Sequence, residues 1–220
     1  MDNFAKNPDY FSNSRLEILP FLQGSFEKSL DVGCGSGLVS QTLRSKGIVQ
    51  EAHGIELDPK ARAEASKVLD KVFCEDLSQN DPKDIPGSYD LVLCLDVLEH
   101  MYDPWKALER VRSLLKPNGT LFVSIPNIRN FRATVPLLLK GDWQYEEAGI
   151  LDSTHIRFFT KKTAKSLVEN AGFEIHAWGS SGCQPGSKTY WANLATFSLF
   201  REFFDLQYFI VAKPKNVSKR

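Results

Sequence analysis

Neither sign of charge prevails in this sequence: Lys plus Arg number 27 and Asp plus Glu number 27. No net field is available to hold a polyanion, so nucleic acid binding is excluded as the main task. Cysteine is sparse. Cys34, Cys74, Cys94 and Cys183 lie far apart with no CxxC pair, which fits neither a zinc site nor a dense disulfide framework and suits a reducing, cytoplasmic compartment. Long apolar runs are missing too. Residues 1–11 carry Asp2, Lys6 and Asp9 and lack the apolar core of a secretory signal, so the mature chain is expected to start here. The greasiest stretch, 194–212, is interrupted by Arg201, Glu202 and Asp205, so no membrane span is expected.

What is present describes an ordinary folded chain. Its 42% hydrophobic, 25% charged and 11% aromatic residues exclude disorder, collagen and coiled coil. At roughly 150 residues per domain, 220 residues predict one domain with decorations. From Lys28 onward, short apolar runs alternate with amphipathic stretches, the pattern of βαβ units and a parallel sheet. Strands are expected at 29–32, 52–57, 72–74, 89–95, 120–125, 173–178 and 206–212. The nearly continuous apolar run 89–95 is what a strand buried on both faces requires. Asp58-Pro59 and Asp103-Pro104 each offer an N-cap followed by proline at the first helical position, the first opening a helix towards Leu69. Lys116-Pro117-Asn118-Gly119 predicts a turn before the fifth strand, and Thr160 caps a helix that ends at Gly172.

Two segments break the rhythm. Residues 126–159 and 179–205 are long for connections in a compact domain, and long loops at strand ends tend to carry function. The organisation expected is therefore an N-terminal segment (1–27), a main domain (28–213) holding a substrate-lid insertion (126–159) and a long connection (179–205), and a mobile basic tail (214–220).

Asp31-Val32-Gly33-Cys34-Gly35-Ser36-Gly37 falls between the first strand and its helix, where glycines allow a tight bend and let a ligand approach the amides. The dinucleotide fingerprint G-x-G-x-x-G fails in both registers, because positions 38 and 40 hold Leu38 and Ser40. Glu56 lies at the end of strand two, about 20 residues on, where a carboxylate can accept both hydroxyls of a ribose. Asp76, after strand three, could accept from an exocyclic amine such as that of adenine. Taken singly, each acid could equally be a helix cap or a solvated loop residue; with the glycines they form one adenosine-shaped site.

These residues resemble the class I S-adenosylmethionine-dependent methyltransferases. The matching blocks are Leu30-Asp31-Val32-Gly33-Cys34-Gly35-Ser36-Gly37, Gly54-Ile55-Glu56-Leu57-Asp58, Glu75-Asp76-Leu77 and Tyr89-Asp90-Leu91-Val92 with Asp96-Val97-Leu98-Glu99-His100. The resemblance implies a single-domain, Rossmann-like α/β fold: a seven-stranded, mostly parallel sheet with helices on both faces and its last strand antiparallel at the edge. It also implies S-adenosylmethionine as cofactor and S-adenosylhomocysteine as product. Gly33 and Gly35 would pack against the methionyl part, with Asp31 near its ammonium and the Leu95 carbonyl facing it. Glu56 would hold the ribose, and Asp76 and Leu77 the adenine; the same blocks place Cys34, Leu57 and Asp96 along the cofactor. Arg15, in a segment similar to the family's N-terminal lid helix, is the candidate donor to the methionyl carboxylate, with a solvated arginine as the alternative.

Within the class, Leu151-Asp152-Ser153-Thr154-His155-Ile156-Arg157-Phe158-Phe159-Thr160 resembles the HxRFFT element of methyltransferases of sugar and cell-surface polysaccharide pathways, and ubiquinone-type O-methyltransferases carry a similar Thr-His. His155 is the candidate general base, since imidazole can take a hydroxyl proton at neutral pH; Asp152 and Arg157 are candidate orienting or substrate-binding partners. His155 could instead only fix the lid. No metal is required for this chemistry. His100 is a candidate supporting residue, Trp143 could flank an acceptor, and Trp105 is expected to pack in the core. The apolar run 135–140 and Phe197, Phe200, Phe203, Phe204 and Tyr208 raise the further idea of peripheral contact with a lipid-linked acceptor; core and lid packing is the alternative. The expected partner is a small-molecule acceptor, with oligomeric state open. A nicotinamide-dependent oxidoreductase and a non-catalytic cofactor-binding scaffold remain as rival readings.

Overall fold

The structure is a computed structural model that describes residues 15–183 and 185–215. Of the N-terminal segment only the part from Arg15 lies within these residues, and of the basic tail only Pro214 and Lys215. Seven strands, β1 (Phe26–Val32), β2 (Val49–Ile55), β3 (Lys71–Phe73), β4 (Tyr89–Leu95), β5 (Leu115–Pro126), β6 (Phe173–Ser181) and β7 (Gln207–Pro214), form one sheet in the order β3-β2-β1-β4-β5-β7-β6. Pairing is parallel from β3 through β5, and β7 is antiparallel to both of its neighbours. The helices are α1 (Leu38–Ser45), α2 (Pro59–Ala65), α3 (Pro104–Leu114), α4 (Phe131–Lys140), α5 (Lys161–Asn170), α6 (Lys188–Ala195) and α7 (Arg201–Phe204).

Side chains alternate across the pleat, so the sheet builds two cores. On one face Val92 and Cys94 of β4 join Leu121 and Val123 of β5 beneath Leu108 and Val111 of α3 and Leu167 and Val168 of α5. On the other, Leu91 and Leu93 join Phe122 and Phe209 beneath Leu43 of α1, Ala65 of α2 and Ile18 of a short 3-10 helix at Leu16–Phe21. Asp58 and Asp103 cap α2 and α3 as expected: Asp58 accepts from the amides of Lys60 and Ala61, and Asp103 from that of Lys106.

Three expectations change. The last strand is antiparallel, but it sits one place in from the rim, with β6 outermost. The cause is composition: Tyr208 to Ala212 of β7 are buried, whereas most of β6 is partly or fully exposed, so the greasier strand takes the place covered on both faces. The turn at residues 116–119 is a bulge inside β5, since pairing jumps from Tyr89 with Leu115 to Leu91 with Thr120. The two long connections contain helices. Residues 126–159 hold α4, started by the Asn130 side chain accepting from the Arg132 amide and ended at Gly141, and residues 179–205 hold the end of β6, α6 and α7. No helix among the described residues is long and apolar enough to cross a membrane.

The candidate functional site

Strand order reverses between β1 and β4, and in open α/β sheets the crevice at the carboxyl ends beside such a switch is where ligands sit. There the chain leaves β1 through the glycine turn. The amides of Gly33 and Cys34 donate to the Ile55 carbonyl at 2.8 and 3.0 Å, and that of Gly37 to the Cys34 carbonyl at 2.9 Å. Gly33 has φ +72°, and a Cβ there would lie 2.6 Å from Val97 Cγ2. The turn therefore closes only without a side chain at this position. The Cys34 side chain is buried beside it, and burial, reinforced by the charges of Asp31 and Glu56, pushes its thiol well above the ordinary range.

Glu56 follows β2 and reaches back to this turn. The Gly35 amide donates to its Oε2 and the Asp58 amide to its Oε1, both at 2.8 Å, so the carboxylate is oriented by backbone before any ligand arrives. Asp31, the penultimate residue of β1, is buried and accepts from Ser40 Oγ at 3.0 Å. Burial raises its pKa to about 7. Asp76 accepts from the Ser78 amide and hydroxyl and from Gln79 Nε2 at 2.7 to 2.8 Å; it thus braces its own turn as well as facing a small cavity.

At the other end Arg15 is buried and engaged. Its guanidinium donates to Glu17 at 2.6 Å, to Ser124 Oγ at 3.1 Å and to Gln207 Oε1 at 3.0 Å, and it forms an ion pair with Asp96. Asp96, at φ +50°, also accepts from Ser124 Oγ and Gln207 Nε2. The arginine expected to await an anion therefore already ties three strands' ends together.

The segment after α4 docks on a 3-10 turn at Leu98–His100, where the Glu99 carbonyl accepts from the amides of Ile156 and Arg157, both at 3.0 Å. Asp152 is buried and accepts from the Thr154 amide at 2.8 Å and hydroxyl at 2.6 Å, and His100 Nδ1 lies 3.1 Å from the Thr154 carbonyl. His155 is buried with Nδ1 3.0 Å from the Ile150 carbonyl. A carbonyl can only accept, so Nδ1 carries the proton and, in the neutral ring, Nε2 keeps its lone pair. That Nε2 stands 3.9 Å from Oε1 of the buried Glu99. Glu99, His100 and His155 each offer an atom within 4.8 Å of the others, a spacing that could hold a metal ion.

A cavity of about 920 Å³ joins these parts: Asp31, Gly33, Cys34, Gly35, Glu56, Leu95, Asp96 and Arg15 line it together with Asp152 and His155. A smaller one of about 190 Å³, sharing Gly33 and Glu56 with it, is lined by Leu57, Asp76 and Leu77. Arg157 does not line the main cavity. Its guanidinium donates to the Tyr102 carbonyl at 2.6 and 3.2 Å and lies over Trp105, because that exposed ring and a free carbonyl offer it a partner outside. Trp105 is correspondingly half exposed, not a core residue. Trp143 packs edge-on against Phe158 with centroids 5.4 Å apart. Sequence reasoning passed over Ser124, Gln207, Arg132 and Glu146, which the fold brings to this neighbourhood, and named Glu99 without a role. A serine inside the apolar run of β5 and an acid beside His100 were readable signals; for Gln207, Arg132 and Glu146 there was none.

Comparison with known proteins gives the family and the fold. A family model described as "Methyltransferase domain" matches residues 5–177. The ubiquinone biosynthesis O-methyltransferase of Histophilus somni (strain 2336) is 32% identical over 124 residues, covering 53% of this chain and 52% of that protein. That of Chromobacterium violaceum is 27% identical over 176 residues, covering 76% and 73%. The chain thus spans about half the length of the first relative and about three quarters of the second. A solved S-adenosylmethionine-dependent methyltransferase from Archaeoglobus fulgidus superimposes with a TM-score of 0.64 at 19% identity over 94% of each chain, a likeness of fold.

Proposed function

Since the chain belongs to the class I S-adenosylmethionine-dependent methyltransferases, we propose that it methylates an oxygen of a small-molecule acceptor, a sugar, a cell-surface precursor or a quinone-like compound, with His155 as general base. The observation that carries this reading is the single cavity of about 920 Å³ that has the glycine turn and Glu56 on one side and Asp152 and His155 on the other. Ligand sites typically run from about 300 to 1,000 Å³, so both a cofactor and a small acceptor fit.

S-adenosylmethionine supplies a methyl group on a sulfonium whose charge disappears on transfer, so the site needs no cation at that atom. Glu56, held by two amides, would hold the ribose, and Leu57, Leu77 and Asp76 would hold the adenine. Asp31 and the Leu95 carbonyl would hold the ammonium. Arg15 serves the methionyl end from within its network with Asp96, Ser124 and Gln207, and Cys34 packs beneath the turn. His155 receives the acceptor's proton on Nε2 while the Ile150 carbonyl holds Nδ1–H and Glu99 stabilises the imidazolium. Asp152 keeps the loop in place through Thr154. Arg157 braces the lid from outside by its bonds to Tyr102. The remaining acceleration would come from the cavity walls fixing the acceptor against the bound cofactor. The four cysteines are free thiols, and a reducing cytoplasm suits them.

The test is transfer of an isotopically labelled methyl group to a panel of hydroxylated sugars and phenols. Label in an acceptor, lost with His155→Ala while S-adenosylhomocysteine still binds, is expected; no transfer to any acceptor would favour a cofactor-binding scaffold.

A further inference from the structure

The helix that gives Arg132 and Ala133 to the cavity wall is apolar where it meets solvent. On α4 Val135 is exposed, Leu138 is 77% exposed and Leu139 79%. Next to it the connection before β7 does the same: Trp191 is 60% exposed, Phe197 88% and Leu199 80%. The two pieces are fastened together. Phe131 meets Phe204 with ring centroids 6.2 Å apart, Arg129 pairs with Glu202 and lies over Phe203, and the side-chain amides of Asn127 and Asn130 donate to the Asp205 carbonyl. Phe197 and Ser198 have φ of +51° and +61°, a conformation that costs a bulky residue energy, and here it accompanies a phenyl ring turned into solvent.

Core packing does not account for these side chains, because they are outside it. Charge indicates what covers them. Residues 127–140 carry Arg129, Arg132 and Lys140 and no acid, and residues 185–204 carry Lys188 and Arg201 against the single acid Glu202, which Arg129 already pairs. Acidic side chains resume beyond Gly141, at Asp142, Glu146 and Glu147, and at Asp205, which is buried 3.9 Å from Arg201. Leucine, tryptophan and phenylalanine standing out beside the basic Arg132, Lys140 and Lys188 are the make-up of a surface that lies in the headgroup region of an anionic bilayer.

We propose that α4 and the α6–α7 connection form a docking face for an anionic membrane surface, beside the wall of the cavity that receives the acceptor. An acceptor with a lipid tail would then be presented from the bilayer while its head enters the site. The docking face is independent of the methyl-transfer assignment, and partition onto vesicles is read without turnover, so failure of either leaves the other standing.

The experiment is sedimentation of the full chain with vesicles of phosphatidylcholine alone and of phosphatidylcholine with phosphatidylglycerol. The protein is expected to sediment with the second. Leu138→Glu combined with Leu139→Glu, and separately Phe197→Glu, should each weaken that partition by at least about tenfold, and Lys140→Glu with Lys188→Glu should weaken it selectively on the charged vesicles. Unchanged circular dichroism would show the variants folded. The proposal is overturned if the parent stays in the supernatant with both vesicles, or if folded variants sediment as well as it does. It is also overturned if the parent is a dimer that Leu138→Glu with Leu139→Glu splits, because the face then joins two copies of this chain.

Discussion

Asp31 shows how a single buried acid ties stability to pH. Burial raises its pKa from 3.8 to about 7, against the Ser40 hydrogen bond and with help from the Glu56 charge. Below the unfolded value both states hold the proton and the group contributes nothing. Between 3.8 and about 7 the native protein keeps a proton that the unfolded chain has released, so stability falls as pH rises, by up to about 4 kcal/mol once the group is ionised in both states. Denaturant unfolding of the ligand-free protein at about pH 5 and about pH 8 should therefore show a decline that Asp31→Asn removes; an equal decline in the variant would mean that other groups cause it. Glu56 is poised differently, with its carboxylate already aimed by two amides. Glu56→Ala should weaken S-adenosylhomocysteine binding, measured by calorimetry, by about 1.5 to 3 kcal/mol, and an unchanged affinity would remove the ribose assignment. For His155 the expected signature is a loss of about 10² to 10⁴ in turnover on replacement by Ala, with activity of the parent unaffected by a chelator. Activity lost to chelation and restored by a divalent ion would make His155, with Glu99 and His100, a ligand set instead of a base.

Among the elements, the turn between β1 and α1 bears the greatest constraint. Gly33→Ala places a methyl group against Val97 at a positive φ, a strain of roughly 1 to 3 kcal/mol; it should lower the unfolding midpoint and weaken cofactor binding together. A variant that binds normally would show that the turn can shift without cost to the site. The bend of this element was legible beforehand, because three glycines within five residues set it locally; its closing contacts with Ile55 and Val97 come from distant positions and were not. So was β4, whose apolar run admits only a strand covered on both faces. The position of β7 was not legible, since it depends on the relative greasiness of two strands competing for one edge. Nor was the Arg15–Asp96–Gln207 cluster, whose members are separated by 81 and 111 positions and meet only through the sheet. Arg157 stands within the readable element yet faces away from the cavity, because the Tyr102 carbonyl and the Trp105 ring lie on its other side.

At the scale of the whole molecule, one sheet brings the half proposed to hold the cofactor, built on the ends of β1, β2 and β4, against the half proposed to meet the acceptor, carried by the segment after β5. The first half was readable as a set of local blocks; the second supplies its histidine from one short motif and its walls from residues scattered over α4 and β7. A nicotinamide enzyme would share the sheet and the ribose acid. Thermal unfolding should separate the two readings, with S-adenosylhomocysteine raising the midpoint and NAD leaving it unmoved. The most direct measurement is a crystal structure of the chain soaked in S-adenosylhomocysteine. The account predicts the ribose hydroxyls on the Glu56 carboxylate, the adenine between Leu57 and Leu77 beside Asp76, and the sulfur directed towards the His155 side of the cavity. Density for the ligand elsewhere, or a Glu56 side chain turned out of the cavity, would contradict it.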